Sequence, residues 1–214
     1  MAEAKRGQAP VGRQAAYVAR NRAALIQSGQ ELLHEIGPSA TIEQIAAHAQ
    51  VSPATIYKYF QNKDQFFAQS LGEAWESWLG WAATQNVSND PLQRMVDLGR
   101  RLFRTPQSHP DFAQMLHNSL REIPDFLIRA DQGAGKEVFR ALATLGKIEL
   151  DDFDKRWIIW TNIASGLWVS VLAKDELSPE EADIAFGIGL SVWGISPAKA
   201  AKLLSRDLGF KPTK

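Results

Sequence analysis

Apolar residues recur at three- and four-residue spacing along most of this 214-residue chain, and no sustained two-residue alternation lies between hairpin turns, so the pattern predicts an all-α fold. From about Arg13, the residues Val18, Leu25, Ile26, Gly29, Leu32, Leu33 and Ile36 share one helical face. Gly37-Pro38 should end that helix, because glycine accepts a left-handed cap and proline cannot continue it. Thr41 with Gln44 has the spacing of a capping box for a second helix, which would bury Ile42, Ile45, Ala46 and Ala49. Ser52-Pro53 then supplies an N-cap followed by proline at the first helical position. Two short helices joined by a tight turn are implied. Asn62 with Gln65 should cap a fourth helix through Phe66, Phe67, Leu71, Trp75, Trp78 and Leu79, and Asp90-Pro91 should open a fifth after a loop from Asn86. Breaks at His109-Pro110, Pro124 and Gly133 to Gly135 mark shorter helices. The last long ones should run from about Asp151 to Lys174 and from the Ser178 cap to about Ile195, before Ser196-Pro197 opens a terminal helix.

The pair of short helices carries the functional expectation. In a helix-turn-helix a small residue such as Ala46 lets the helices cross closely, Val51 and Ile56 fill the angle between them, and the second helix enters the major groove. Spacing alone also fits a bundle that binds nothing. The wording of Thr41–Phe67, TIEQIAAHAQVSPATIYKYFQNKDQFF, resembles the signature of the TetR family of transcriptional regulators. It departs from that pattern at Gln50, where glycine is usual, and at Phe67, where an aliphatic residue is usual. A left-handed Gln50 would cost about 1 kcal/mol for its β-carbon.

The resemblance implies an N-terminal three-helix helix-turn-helix domain (1–63), preceded by a basic arm, and a larger C-terminal helical ligand-binding and dimerisation domain (64–214). It also implies that Thr41, Thr55, Tyr57, Tyr59 and Lys63 face DNA, mostly through phosphates, with Pro53 and Ala54 at the tip of the recognition helix and Lys58 at its edge. With the capping residues Gln44 and Ser52 these form the candidate DNA-binding set. Hydroxyls, a lysine and helix N-terminal amides suit phosphate. Pro53 and Ala54 can touch thymine methyls, whereas the helix offers no Arg, Asn or Gln for a bidentate base contact. Glu43 could accept from cytosine or face solvent. Such a chain would be a repressor of a pseudo-palindromic double-stranded operator, released by a small apolar or aromatic effector.

Composition fits this reading in part. With 45% hydrophobic and 22% charged residues the chain is that of a folded protein. A formal net charge of zero argues weakly against a nucleic-acid partner, but distribution reverses that: from Glu3 to Arg22 five bases (Lys5, Arg6, Arg13, Arg20, Arg22) face one acid. Acids cluster downstream at Asp151, Asp152, Asp154, Asp175, Glu176, Glu180, Glu181 and Asp183. Lys5, Arg6 and Arg13 could form an arm for the minor groove or a solvated tail. No cysteine is present to hold a disulfide or thiolate metal site. The first twenty residues lack the apolar segment of a signal peptide, so the chain is expected to stay in the cytoplasm.

Two later segments are uncharged: WIIWTNIASGLWVSVLA (157–173) and, in the next helix, IAFGIGLSVWGI (184–195). Thr, Asn and Ser interrupt the first, so it reads as a helix buried on all sides rather than one crossing a bilayer. Burial could be intramolecular, or the helices at about 152–174 and 179–195 could meet their copies in a homodimer, as the family fold implies. Seven tryptophans suit core packing. They also suit an aromatic effector cavity built from Trp78, Phe103, Phe112, Met115, Trp160 and Trp168, with His117, Asn118 and Asn162 as polar anchors. The chain has no P-loop, dinucleotide fingerprint, HExxH or nucleophile elbow, and His34 and His48 lack partners at metal spacing. Neither an enzyme nor a cofactor is therefore expected. The rival is a helical ligand-binding or adaptor protein without DNA binding.

Overall fold

The computed structural model describes residues 11–85, 88–120, 134–173 and 177–209, without the side chains of 11–14 and 134. The proposed arm residues Lys5 and Arg6, the side chain of Arg13, and the breaks at Pro124 and Gly133 lie outside the described residues. Among the described residues all regular structure is helical. The chain forms two compact units, one up to Glu73 and one from Ala74, and the division falls within a helix that starts at residue 63.

The first unit contains α1 (Val11–Glu35), α2 (Ile42–His48), α3 (Pro53–Tyr57) and the first turns of α4 (Lys63–Thr84). Its core comprises Leu25, Ile26, Leu32, Leu33, Ile45, Ile56, Phe60, Phe66 and Phe67, each at most 5% exposed. Val18 and Ile36, expected on the buried face of α1, are instead exposed. Residues 15–20 are exposed on every side, and Ile36 follows the last turn, so the apolar stripe is longer than the surface that covers it. Gly37 takes the left-handed conformation that ends α1, with φ 74°. Gly29 serves close approach: a β-carbon there would stand 2.7 Å from the Phe66 ring of α4.

The second unit contains the rest of α4, then α5 (Pro91–Leu102), α6 (Thr105–Ser108), α7 (Pro110–Asn118), α8 (Ala134–Thr144), α9 (Phe153–Leu172), α10 (Pro179–Gly189) and α11 (Pro197–Leu204). Side-chain caps begin three of these helices. Asp90 accepts from Leu92 N–H, Ser196 from Lys199 N–H, and Ser178 with Glu181 completes a reciprocal capping box that holds the Glu181 carboxyl below its ordinary value. The expected helix to Ile195 stops at Gly189, and a tighter 3-10 turn, Leu190–Trp193, carries the chain to a left-handed Gly194. The tighter turn leaves Trp193 fully buried against Phe139 and Phe153.

One buried ionic cluster fixes α10 to α5. Asp183 accepts from Arg100 Nε at 2.9 Å and takes both terminal nitrogens of Arg104, at 2.9 and 2.8 Å. All three residues are at most 8% exposed. The fork of Arg104 against one carboxylate is the strong form of this contact. Arg101, beside them, donates to the carbonyls of Gln85 and Leu208, and burial lowers the pKa of its guanidinium from the ordinary value.

Candidate nucleic-acid interface and effector cavity

The turn between α2 and α3 is built from caps at both ends. Thr41 Oγ1 accepts from Gln44 N–H at 3.3 Å while Gln44 Oε1 accepts from Thr41 N–H at 2.8 Å, completing the capping box at the start of α2. At its far end Val51 N–H donates to Ala46 O and Gln50 N–H to Ala47 O, the paired bonds of a Schellman motif. That motif requires a left-handed residue, and Gln50 has φ 54°. Ser52 Oγ then accepts from Thr55 N–H at 3.3 Å and lies 3.0 Å from Thr55 Oγ1, starting α3.

Only one side of α3 is anchored. Ile56 is fully buried and Phe60 packs edge-on to Phe66 at 5.0 Å. Ser52, Pro53, Ala54, Tyr57 and Lys58 are exposed, with Tyr57 at 55%, while Thr55 and Tyr59 are half-buried. Thr41 and Gln44 are exposed on α2, with the Gln44 carbonyl committed to the cap. Lys63, at the start of α4, donates from Nζ to Pro38 O at 3.1 Å, which ties α4 to the segment before α2. Asn62 caps α4 through Gln65 N–H, but the Gln65 carbonyl turns to Gln61 N–H rather than completing the expected reciprocal pair. Glu43 points to solvent. Ser28 Oγ on α1 lies 2.6 Å from His48 Nδ1 on α2, so this histidine braces the two helices.

The second unit contains a cavity of about 330 Å³. Trp75, Trp78, Phe103, Phe139, Trp160 and Phe186 supply its aromatic walls, and Thr161 and Ser165 its hydroxyls. Trp78, Phe103 and Trp160 of the sequence-based set come together there. The other residues of that set lie elsewhere. Phe112 stacks on Trp78 at 6.5 Å without lining the cavity, Met115 is in the core, and Trp168 is fully buried against Trp75. His117 Nδ1 lies 2.8 Å from Leu172 O, and Asn118 accepts from Gln114. Asn162 is exposed and donates to Ile158 O. One helical position separates it from Thr161, a rotation of about 100°, and that rotation decides which side chain meets the cavity.

A second, open cleft of about 760 Å³ lies between Pro106, Pro110 and Gln114 on one side and Val171, Leu172 and Ser178 on the other. Elsewhere on α9 and α10, Ile158, Ile159, Ile184 and Ile188 are 51 to 72% exposed. Among the described residues, the helices expected to be buried on all sides are thus covered on one side only. Among the described residues no helix is long and apolar enough to cross a membrane, and no group of three or more His, Asp or Glu residues could hold a metal ion.

The model of the bacterial regulatory proteins of the tetR family matches residues 25–69, the segment from the core of α1 through the start of α4. That segment of the chain is similar to the bacterial regulatory proteins of the tetR family. Its fold is similar to that of RolR in complex with the ligand resorcinol, with a TM-score of 0.70 and 21% identity over 90% of this chain and 97% of that one. A TetR transcription regulator from Haloarcula marismortui gives 0.56 at 21% identity over 82% and 97%. SmeT, the repressor of a Stenotrophomonas maltophilia multidrug efflux pump, gives 0.55 at 15% over 80% and 89%. Identities this low speak to the fold alone. No curated protein matches the chain in sequence. The TetR-family fold is that of transcriptional regulators, and this chain has its helix-turn-helix followed by a helical C-terminal unit.

Proposed function

We propose that this chain is a sequence-specific DNA-binding repressor, released from a pseudo-palindromic operator when a small apolar or aromatic molecule enters the cavity of the second unit. The observation that carries the reading is the two-sidedness of α3: Ile56 and Phe60 anchor it, while Pro53, Ala54, Tyr57 and Lys58 are left outward. Pro53 and Ala54 meet thymine methyls, and Thr41, Thr55, Tyr57, Tyr59 and the α3 N-terminus hold phosphates. Lys63 exchanges Pro38 O for phosphate when DNA arrives. The exposed isoleucines of α9 and α10 pair with their copies in a two-fold dimer, which sets two recognition helices about 34 to 36 Å apart, one turn of duplex.

Helix α4 is the coupling element. Its first turns place Phe66 and Phe67 in the core of the first unit, and Trp75, Trp78 and Leu79 of the same helix line the cavity. A ligand that displaces those tryptophans acts on the helix that carries Lys63, and so on half-site spacing. RolR, whose structure holds resorcinol, supports an aromatic ligand in a fold of this kind. Fluorescence anisotropy of the full chain on DNA upstream of its own gene, against random DNA of equal length, tests the DNA-binding part. Lys63→Ala should weaken both equally, whereas changes at Pro53 or Ala54 should alter which sequence is preferred. Absence of preference for any upstream sequence would favour a ligand-binding protein without an operator.

A further inference from the structure

Resting on the effector reading above, we infer that the cavity selects a neutral phenol-type molecule, one or two fused rings carrying a hydroxyl, with that hydroxyl held between Thr161 and Ser165. Thr161 and Ser165 are four residues apart on α9, so their β-carbons stand on one face, roughly 5 to 6 Å apart. Both line the cavity, and Ala164 between them keeps that wall low. The remaining walls are aromatic or aliphatic, and among the described residues that line the cavity none carries a charge.

The two hydroxyls have different capacities. The Thr161 hydroxyl spends its proton on the carbonyls of Trp157 and Ile158, each 3.0 Å away, and so meets a ligand as an acceptor. No hydrogen bond occupies the Ser165 hydroxyl among the described residues, so it is available to donate. A phenolic O–H matches that pair, donating to Thr161 Oγ1 while accepting from Ser165 Oγ. A methyl ether has no proton for Thr161. A carboxylate or ammonium would leave water for a wall with no counter-charge, which is far more costly than losing one neutral bond. The volume, about 330 Å³, is at the small end for ligand pockets and suits a flat molecule of one or two rings. Size has a determinant too. A β-carbon at Gly99 would stand 2.5 Å from the Phe186 ring, so the absence of that atom lets Phe186 sit back from the space.

The test uses the full chain and tryptophan fluorescence, since Trp75, Trp78 and Trp160 line the site, with phenol, 2-naphthol, anisole, toluene and benzoate as probes. Phenol should bind about three to tenfold more tightly than toluene or anisole, the worth of one neutral hydrogen bond, and benzoate should bind at least a hundredfold more weakly. Thr161→Val and Ser165→Ala should each erase the advantage of phenol while leaving toluene affinity unchanged, which also certifies that the variants are folded. Toluene, anisole and phenol binding alike, with both variants indifferent, would overturn the hydroxyl assignment and leave the effector cavity standing. Benzoate binding as tightly as phenol would overturn the neutral-ligand claim. Failure of all five probes to bind would remove the effector reading itself.

Discussion

Replacing Asp183 by Asn should be among the most damaging single-atom changes in the second unit. The substitution keeps the shape of the side chain, removes its charge and leaves Arg100 and Arg104 facing each other at most 8% exposed. Three charge-assisted hydrogen bonds, from 2.8 to 2.9 Å, lose their anion. Removing one partner of a buried ion pair costs about 3 to 5 kcal/mol, because the remaining charge stays desolvated without compensation. The lower end applies here, since Arg100 also donates to Arg206 O and Arg104 to Arg100 O. Glu180, 3.7 Å from Arg104 but 72% exposed, is too solvated to substitute. A loss of about 3 kcal/mol should lower the thermal midpoint of a chain this size by roughly 6 to 12 °C. Thermal unfolding followed by far-ultraviolet circular dichroism measures the shift. Near-ultraviolet signals should also change, because Phe186 of the cavity lies one turn further along α10. Replacing Asp183, Arg100 and Arg104 together by Leu, Met and Met should recover most of the loss, as apolar substitutes for buried ions commonly do. A loss below about 1 kcal/mol for Asp183→Asn would refute the claim that the cluster fixes α10.

Gln50→Gly relieves a left-handed β-carbon worth about 1 kcal/mol and loses part of that to the freer unfolded chain; the first unit should melt slightly higher, and a lower midpoint would show that the Gln50 side chain is stabilising. Ile188→Asp should leave a monomer by light scattering if the α9–α10 face joins two subunits, while a persistent dimer would move the interface elsewhere. Burial against Trp81, whose ring centroid is 4.4 Å away, holds the His109 imidazole below its ordinary value of 6.5. The unfolded chain therefore takes up that proton first as pH falls, so this contribution to stability is present above about 6.5 and is lost on acidification. His109→Gln should flatten the pH dependence of the midpoint between about 7 and 5, and an unchanged profile would exclude His109 as its source.

Local chemistry was more legible in the sequence than distant packing. Thr41 with Gln44, Ser52-Pro53, Asp90-Pro91 and Ser178 with Glu181 form the caps that their spacing implies, because a cap depends only on residues within one turn. The left-handed Gln50 was readable for the same reason. Val18 and Ile36 were misread as core because periodicity reports which face is apolar and not whether another element covers it. The cavity is the least legible feature. Met95, Gly99 and Phe139 reach it from α5 and α8, far away in the chain, and nothing local marks them. On α9 the polar contributor is Thr161 rather than Asn162, a choice fixed by the rotation of the helix about its axis. The uncharged run was the available signal, and within it Thr161 and Ser165 at four-residue spacing mark a single polar stripe.

The most direct test of the proposed function is one titration: anisotropy of the full chain on the upstream DNA it prefers, repeated with phenol at saturation. Coupling of about 1 to 3 kcal/mol between the two sites predicts a five- to 150-fold weaker operator affinity with ligand bound. An operator affinity unchanged at full ligand occupancy would contradict it.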